Sequence, residues 1–219
     1  DAGSQIAAAA ANAQPGEQVL DYCSGGGGKT IALASQMKGK GQIFAYDIDG
    51  KRLSALIPRL KRSGATNVQL VHPSEPVQLE TLTGLMDCVF VDAPCTGTGT
   101  WRRRPDSKWR IKQGQMEKRM AEQTDILASA AAFVKPGGRM VYATCSFLME
   151  EDEDRVAEFL EAHPRFTEED AAAAAIASGL LTDEGANVVQ RFRMPTGSVR
   201  LTPHRAGTDG FFFAVLRRA

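Results

Sequence analysis

Asp21-Tyr22-Cys23-Ser24-Gly25-Gly26-Gly27-Gly28-Lys29-Thr30 is the stretch that decides the fold. An apolar run from Gln18 to Tyr22 leads into it, and a helix-forming segment from about Lys29 to Met37 follows. Strand, glycine loop and helix in that order build the ligand corner of an open α/β sheet. Glycines let the backbone approach the ligand, and the helix start offers free N–H groups. The Gly-Lys-Thr ending suggests a phosphate-binding loop, but that motif needs a glycine at position 23, where Cys23 stands. Four consecutive glycines satisfy only fragments of the dinucleotide pattern G-x-G-x-x-G. A nucleotide-like ligand without a phosphate remains, and S-adenosylmethionine, with its ribose and adenine, is one.

The chain on either side agrees. A second strand, Gln42 to Tyr46, ends in Asp47, about twenty residues past the loop, where an acid can accept from both ribose hydroxyls. Asp49 reads instead as the cap of a helix from Lys51 to Arg62. Gly3 to Ala13 reads as a helix, and Asn67 to Val71 as a third strand followed by a turn-rich loop, His72 to Pro76. A fourth strand, Cys88 to Val91, runs into Asp92-Ala93-Pro94-Cys95-Thr96-Gly97-Thr98-Gly99. Gln113 to Phe133 has helical spacing with its Met and Ile turned to the core, and Pro136-Gly137-Gly138 breaks it. A fifth strand, Arg139 to Thr144, ends in Thr144-Cys145-Ser146. Glu150 to Ala162 reads as an acidic helix with a solvated face. Val188 to Phe192 and Gly210 to Arg217 read as a final hairpin with a long connection. Alternating βα units with a terminal antiparallel pair give one α/β domain over residues 1–219.

Composition narrows the class. Hydrophobic content of 43% and charged content of 24% are ordinary for a globular chain. No run of about 18 apolar residues suggests a membrane span. The four cysteines form no C-x-x-C pair and the three histidines are scattered, so neither a metal site nor a disulfide framework is expected. Free thiols suit a reducing cytoplasm, and a monomer is expected. The net charge is zero but uneven. Trp101 to Arg119 carries eight basic residues against two acids, whereas Glu150 to Asp170 carries ten acids against two arginines. Local potential governs encounter with a polyanion, so Arg102, Arg103, Arg104, Lys108, Trp109 and Arg110 are candidates for holding an RNA backbone or a flipped base.

Two thiols, Cys95 and Cys145, and one acid, Asp92, thus lie at strand ends beside a cofactor loop. A thiolate near a methyl donor suits C5 methylation of a pyrimidine. Addition of sulfur to C6 makes C5 carbanion-like, C5 takes the methyl, and the thiol is eliminated. An acid near N3 and the amino group assists. This chemistry leaves open which thiol attacks. A dehydrogenase with the same βα pattern and a non-catalytic RNA-binding homologue are the competing readings.

The segments Asp21 to Thr30, Asp92 to Gly99, Arg103-Arg-Pro-Asp-Ser-Lys-Trp109, Tyr142-Ala-Thr-Cys-Ser146 and Asp209-Gly-Phe-Phe-Phe213 together resemble the Nol/Nop/Sun family of S-adenosylmethionine-dependent RNA cytosine-C5 methyltransferases, including its bacterial small-subunit ribosomal RNA members. The resemblance implies a Rossmann-like class I methyltransferase fold: a mostly parallel seven-stranded sheet, a C-terminal antiparallel pair and helices on both faces. It implies Cys145 as nucleophile, Cys95 as the aid to product release and Asp92 as a contact to cytosine and cofactor. It implies cofactor contacts from Cys23, Ser24, Gly25, Gly26, Gly27, Gly28, Lys29 and Asp47, and ribosomal RNA, or transfer RNA, as substrate. Two positions depart from the family. Gly26 stands where a proline is usual, which is expected to loosen the loop, and His72-Pro73-Ser74 stands where an acid near the adenine is usual. Family members often carry an N-terminal RNA-binding region, and the opening at Asp1 directly into a helix suggests that this chain lacks it.

Overall fold

Short runs that are apolar on both sides are predicted to form a parallel sheet covered on both faces. The computed structural model, which describes residues 1–219 apart from the side chain of Gln113, has that arrangement. In chain order the elements are α1 (Ala2–Ala9), β1 (Gln18–Asp21), α2 (Gly28–Gln36), β2 (Gln42–Tyr46), α3 (Gly50–Ser54), α4 (Ile57–Ser63), β3 (Val68–Val71), α5 (Pro76–Glu80), β4 (Met86–Asp92), α6 (Gln113–Ala131), β5 (Val134–Thr144), α7 (Glu153–Ala162), β6 (Phe166–Glu169), α8 (Ala171–Ala177), α9 (Asp183–Arg191), β7 (Val199–Leu201), α10 (Pro203–Ala206) and β8 (Phe211–Arg218).

The sheet runs β3-β2-β1-β4-β5-β8-β6, and β7 also pairs with β8. β1 to β5 are parallel, and β8 is antiparallel to β5, β6 and β7. Val19, Ile43, Cys88, Phe90 and Val141 pack under α1, α2, α8 and α9, while Leu20, Val89, Val91, Met140 and Tyr142 pack under α6 and α7. The strand order reverses between β1 and β4, and a ligand crevice opens there beyond the carboxyl ends. β1, β2, β4 and β5 carry Asp21, Asp47, Asp92 and Cys145 to that one rim.

The mostly parallel α/β sheet is as expected, but the last third corrects the reading. The sheet has eight strands. Val188 to Phe192 lies on α9 and its C-cap rather than in a strand. Val188, Val189 and Phe192 are spaced for one helix face, Thr182 caps that helix by accepting from the Gly185 N–H, and Asp183 and Glu184 suit its first turn. The true neighbours of β8 include β6, a charged edge strand whose Glu169 pairs with Arg217 at 2.9 Å; charge on an edge strand hides it from a hydrophobic-pattern reading. The helix expected over Lys51 to Arg62 divides into α3 and α4 because Pro58 has no N–H to continue the ladder. The Pro136-Gly137-Gly138 run lies inside an irregular start of β5, with Gly137 at φ 73°.

The acidic segment also differs. A 3-10 turn over Met149–Glu151 precedes α7, and Glu151 and Asp152 are fully buried rather than solvated. Burial pushes the Asp152 carboxyl up to about 7, although it accepts from Thr144 Oγ1 at 2.6 Å and has Arg200 Nη2 at 3.8 Å. Asp21, buried under the glycine loop, is also pushed up to about 7 by burial, against the bond it accepts from Thr30. A carboxyl raised in the folded state contributes stability that is complete below the unfolded value and lost as pH rises through about 7. Asp152→Asn keeps the Thr144 bond and removes the charge. It should stabilise the protein by on the order of 2 kcal/mol at pH 8 and leave pH 4 nearly unchanged. The loss of stability between those pH values should shrink, with the part due to Asp21 remaining. Urea midpoints at both pH values check this; an unaltered slope refutes it.

Among the described residues, no helix is long and apolar enough to cross a membrane, and no group of three His, Cys, Asp or Glu could hold a metal ion.

Candidate active site

The cofactor loop turns as sharply as its glycines allow. Gly25 and Gly27 have φ of 50° and 77°, and a Cβ on Gly27 would fall 1.9 Å from Leu56 Cδ1, so no other residue fits position 27. The Asp47 carboxylate, 3% exposed, accepts from the Gly25 N–H and the Asp49 N–H, each at 2.8 Å. Each of its oxygens keeps a lone pair for a ligand. Asp49 caps α3 through the Lys51 and Arg52 amides, as expected. Ser24 Oγ is buried and has no hydrogen-bond partner, which is a polar group left over for a ligand. Gly26 and Gly28 face outward, Gly26 with its carbonyl accepting from Arg59. Cys23 is half-buried, and burial pushes its thiol up, so it offers a neutral packing surface. Ile48, 85% exposed, borders an open depression of about 950 Å³ with Asp49, Gly50, Lys51, Ser54 and His72. The His72 Nδ1 lies 3.2 Å from the Ser74 N–H and 2.7 Å from Ser74 Oγ, and its Nε2 lies beside Gly50. An imidazole therefore stands where the resemblance implies an acid.

The two thiols meet. Cys95 Sγ lies 3.4 Å from Cys145 Sγ. Two loops that leave β4 and β5 are laced together to hold them there. The Gly99 N–H donates to the Cys145 carbonyl at 2.9 Å, the Phe147 N–H donates to Thr98 Oγ1 at 3.1 Å, and Thr98 Oγ1 meets Ser146 Oγ at 3.0 Å. Gly99 also runs against Gly210: the Gly210 N–H donates to the Gly99 carbonyl at 2.8 Å, and a Cβ on Gly99 would fall 2.3 Å from the Gly210 carbonyl oxygen.

The surroundings of the two sulfurs differ. The Cys95 loop is pinned by Glu151, which accepts from the Thr96 N–H at 2.8 Å and from Thr96 Oγ1 at 2.5 Å. Gln123 Nε2 donates to the Pro94 carbonyl at 2.9 Å and to Glu151 at 3.2 Å. The hydrogen bond Cys95 gives to Cys145, burial and the Glu151 carboxylate hold the Cys95 thiol well above its ordinary range. That same bond, received by Cys145, together with the Lys29 ammonium, brings Cys145 below the ordinary thiol value, against burial and Asp92. Of the two, Cys145 is therefore the sulfur that loses its proton more readily and Cys95 the one that holds it, the two titrating as a pair. Lys29 Nζ pairs with Asp92 Oδ2 at 2.6 Å and sits 5.0 Å from the centre of the Phe211 ring. Asp92 keeps its second oxygen for a ligand.

The basic stretch splits. Arg103, exposed over half of its side chain, donates from Nε to the fully buried Asp209 at 2.6 Å, and Arg102 Nη2 stands 3.6 Å from the same carboxylate and 3.7 Å from Asp1. These two arginines serve the fold as well as the surface. Arg104 is exposed, Arg110 pairs with Asp106 at 2.8 Å, and Lys108 lies 4.5 Å over the ring of Trp109, itself 80% exposed. Trp101 folds back and meets Phe147 edge-on at 5.3 Å. Asp21, Asp209 and Phe211 lie in motifs quoted from the sequence but were given no role of their own, and Glu151 and Gln123, which also stand beside these loops, were not singled out.

Comparison with known proteins bears on this geometry. The family described as 16S rRNA methyltransferase RsmB/F matches residues 8–217. A probable ribosomal RNA small subunit methyltransferase B from Synechocystis is 33% identical over the whole of this chain and 47% of its own length. The Bacillus subtilis protein of the same description is 32% identical, again over the whole chain and 47% of its own length. The chain thus spans about half the length of these relatives. NSun6 from Pyrococcus horikoshii, solved with SFG, an S-adenosylmethionine analogue, superposes with a TM-score of 0.79 at 27% identity, over 99% of this chain and 51% of that one. The glycine loop, the unpartnered Ser24 hydroxyl and Asp47 fit S-adenosylmethionine, the cofactor of this family. Fold, motifs and relatives agree, and the chain belongs to the 16S rRNA methyltransferase RsmB/F family of S-adenosylmethionine-dependent methyltransferases.

Proposed function

We propose that this domain methylates C5 of a cytosine in RNA, ribosomal RNA in the first place, through a covalent bond between Cys145 and C6. The observation that carries the reading is the pair of sulfurs 3.4 Å apart on adjacent strand ends, one beside Lys29 and the other beside Glu151. S-adenosylmethionine, when bound, supplies an electrophilic methyl carbon. The chain's own residues do the rest. The Cys145 thiolate forms the S–C6 bond, and the electrons of the C5–C6 double bond move to make C5 nucleophilic. Asp92, with one oxygen fixed by Lys29, offers the other to the cytosine N3 and amino edge, where a shared proton stabilises the adduct. After C5 has gained the methyl, its proton passes to solvent water, the C5–H electrons restore the C5–C6 double bond, and the S–C6 bond breaks with its electrons returning to sulfur. The protonated Cys95 donates to the departing Cys145 thiolate, which eases release. Arg102, Arg103, Arg104, Lys108, Trp109 and Arg110 are all exposed and together offer the RNA surface; an exposed indole with a cation over it suits base stacking beside phosphate.

The test is incubation with a labelled methyl donor and small-subunit ribosomal RNA or transfer RNA, followed by bisulfite mapping. Label at a bisulfite-resistant cytosine supports the proposal. RNA binding without label supports a non-catalytic homologue, and label at a bisulfite-sensitive position overturns the C5 assignment.

A further inference from the structure

We propose that Arg59 is a positioning residue for the cofactor loop, supplying from outside the rigidity that four consecutive glycines lack. Gly25 to Gly28 is the least restrained run a chain can present, because glycine samples more backbone conformations than any other residue. Two of its amides are fixed: the Gly25 N–H by buried Asp47 and the Gly27 N–H by the Ser24 carbonyl at 2.8 Å. Between them lies Gly26, exposed and without the left-handed φ of its neighbours. Its anchor is a hydrogen bond at 2.5 Å from the Nη1 of Arg59 on α4, 33 residues away, to its carbonyl oxygen. A Cβ at position 26 would meet only Arg59 Nη1, at 3.3 Å. Arg52 stands beside the same loop, its Nη2 2.7 Å from where a Cβ on Gly25 would lie and its Nη1 3.9 Å from Asp47. Gly26 is thus a position whose stiffness comes either from its own ring or from a neighbour, and here the neighbour supplies it. On this proposal, Arg59 offsets the loosening expected of glycine at 26. The inference rests on this loop holding S-adenosylmethionine and not on the identity of the methylated base.

The test is a double-mutant cycle on the whole chain, read in two ways. Hydrogen exchange of the Gly25 and Gly27 amides reports the loop without any ligand, and calorimetry with S-adenosylhomocysteine reports its competence. Arg59→Ala should speed exchange at both amides and weaken binding, each by about three- to ten-fold, the scale of one hydrogen bond from a charged donor at a partly exposed site. Arg59→Gln, which keeps a donor, should stay within about two-fold of wild type. Whatever Gly26→Pro does alone, Arg59→Ala should have a smaller effect on both readouts in the Gly26→Pro background than in the wild type, since the ring limits φ and the bond to be replaced is at the carbonyl. Gly26→Ala, a milder restriction, should shrink that effect in part and serves if the proline variant does not fold. Unchanged exchange in Arg59→Ala overturns the proposal. So does a loss of binding common to Arg59→Ala and Arg59→Gln with the loop amides unaltered, which would make Arg59 a charge contact to the ligand. If the wild type itself binds no S-adenosylhomocysteine, the cofactor reading fails while the exchange arm still decides the part played by Arg59.

Discussion

Cys145→Ala is expected to lower methyl transfer to RNA by at least about 10⁴-fold, the scale on which an enzyme loses rate when its covalent nucleophile is removed. Binding of S-adenosylmethionine should stay within about two-fold, because the glycine loop and Asp47 are built without this sulfur. No other group is placed to take over. Among the described residues Cys95 is the one other thiol beside it, and its contact with Cys145, burial and Glu151 raise it well above the ordinary thiol range. Cys23 and Cys88 are kept neutral by burial. The same asymmetry orders chemical reactivity. A thiol brought below its ordinary value reaches the thiolate at lower pH, so iodoacetamide should label Cys145 before Cys95, and labelling of Cys145 should rise with pH below the ordinary thiol range. Peptide mapping after brief alkylation at a series of pH values checks the order. Reversed labelling, or methyl transfer surviving in Cys145→Ala, would reject the assignment of roles.

Cys95→Ala is expected to do something different: to stop turnover while trapping RNA on the protein. Attack by Cys145 does not need the Cys95 sulfur, but departure does, because the leaving thiolate loses the donor 3.4 Å away. The adduct should survive denaturation as a slowly migrating protein–RNA band. It should vanish in the double variant Cys95→Ala/Cys145→Ala. The substitution removes one sulfur from a half-buried position, and the loop stays anchored through Thr96, Thr98 and Gly99, so the fold should hold. A Cys95→Ala variant that turns over normally, or a band that persists without Cys145, contradicts the proposed release step.

The parts of this site that were readable in advance share a property: each sits in a short motif at a strand end. Asp92 and Cys95 lie three positions apart, and the glycine loop with Lys29 fills one turn, so local chemistry declares them. The parts that were hidden act across the chain. Glu151 looks like one more acid on a charged helix, and its role appears only because Thr96, 55 positions away, folds against it. Arg103 looks like one more member of a basic run until Asp209, 106 positions away, is seen to accept from it. The fold shows the same division. β1, β2, β4 and β5 are apolar and bounded by turn residues, whereas β6 is polar and takes its place by pairing with β8. Val188 to Phe192 misled because a short apolar run fits a helix face and a strand equally well until a cap such as Thr182 is weighed.

The backbone contact between Gly99 and Gly210 has a consequence for the order in which the protein is made. The thiol loop closes on a residue more than a hundred positions downstream, at the threshold of the strand that completes the sheet. Contacts of such sequence separation form late, after local helices and neighbouring strands. Until that strand is seated, the thiol loop lacks its backbone bond from Gly210, although β1, β4 and β5 bring the cofactor loop, Asp92 and Cys145 together by their own pairing. The last strand thus acts as a buttress that closes the thiol loop at Gly99 rather than as a carrier of the reacting groups.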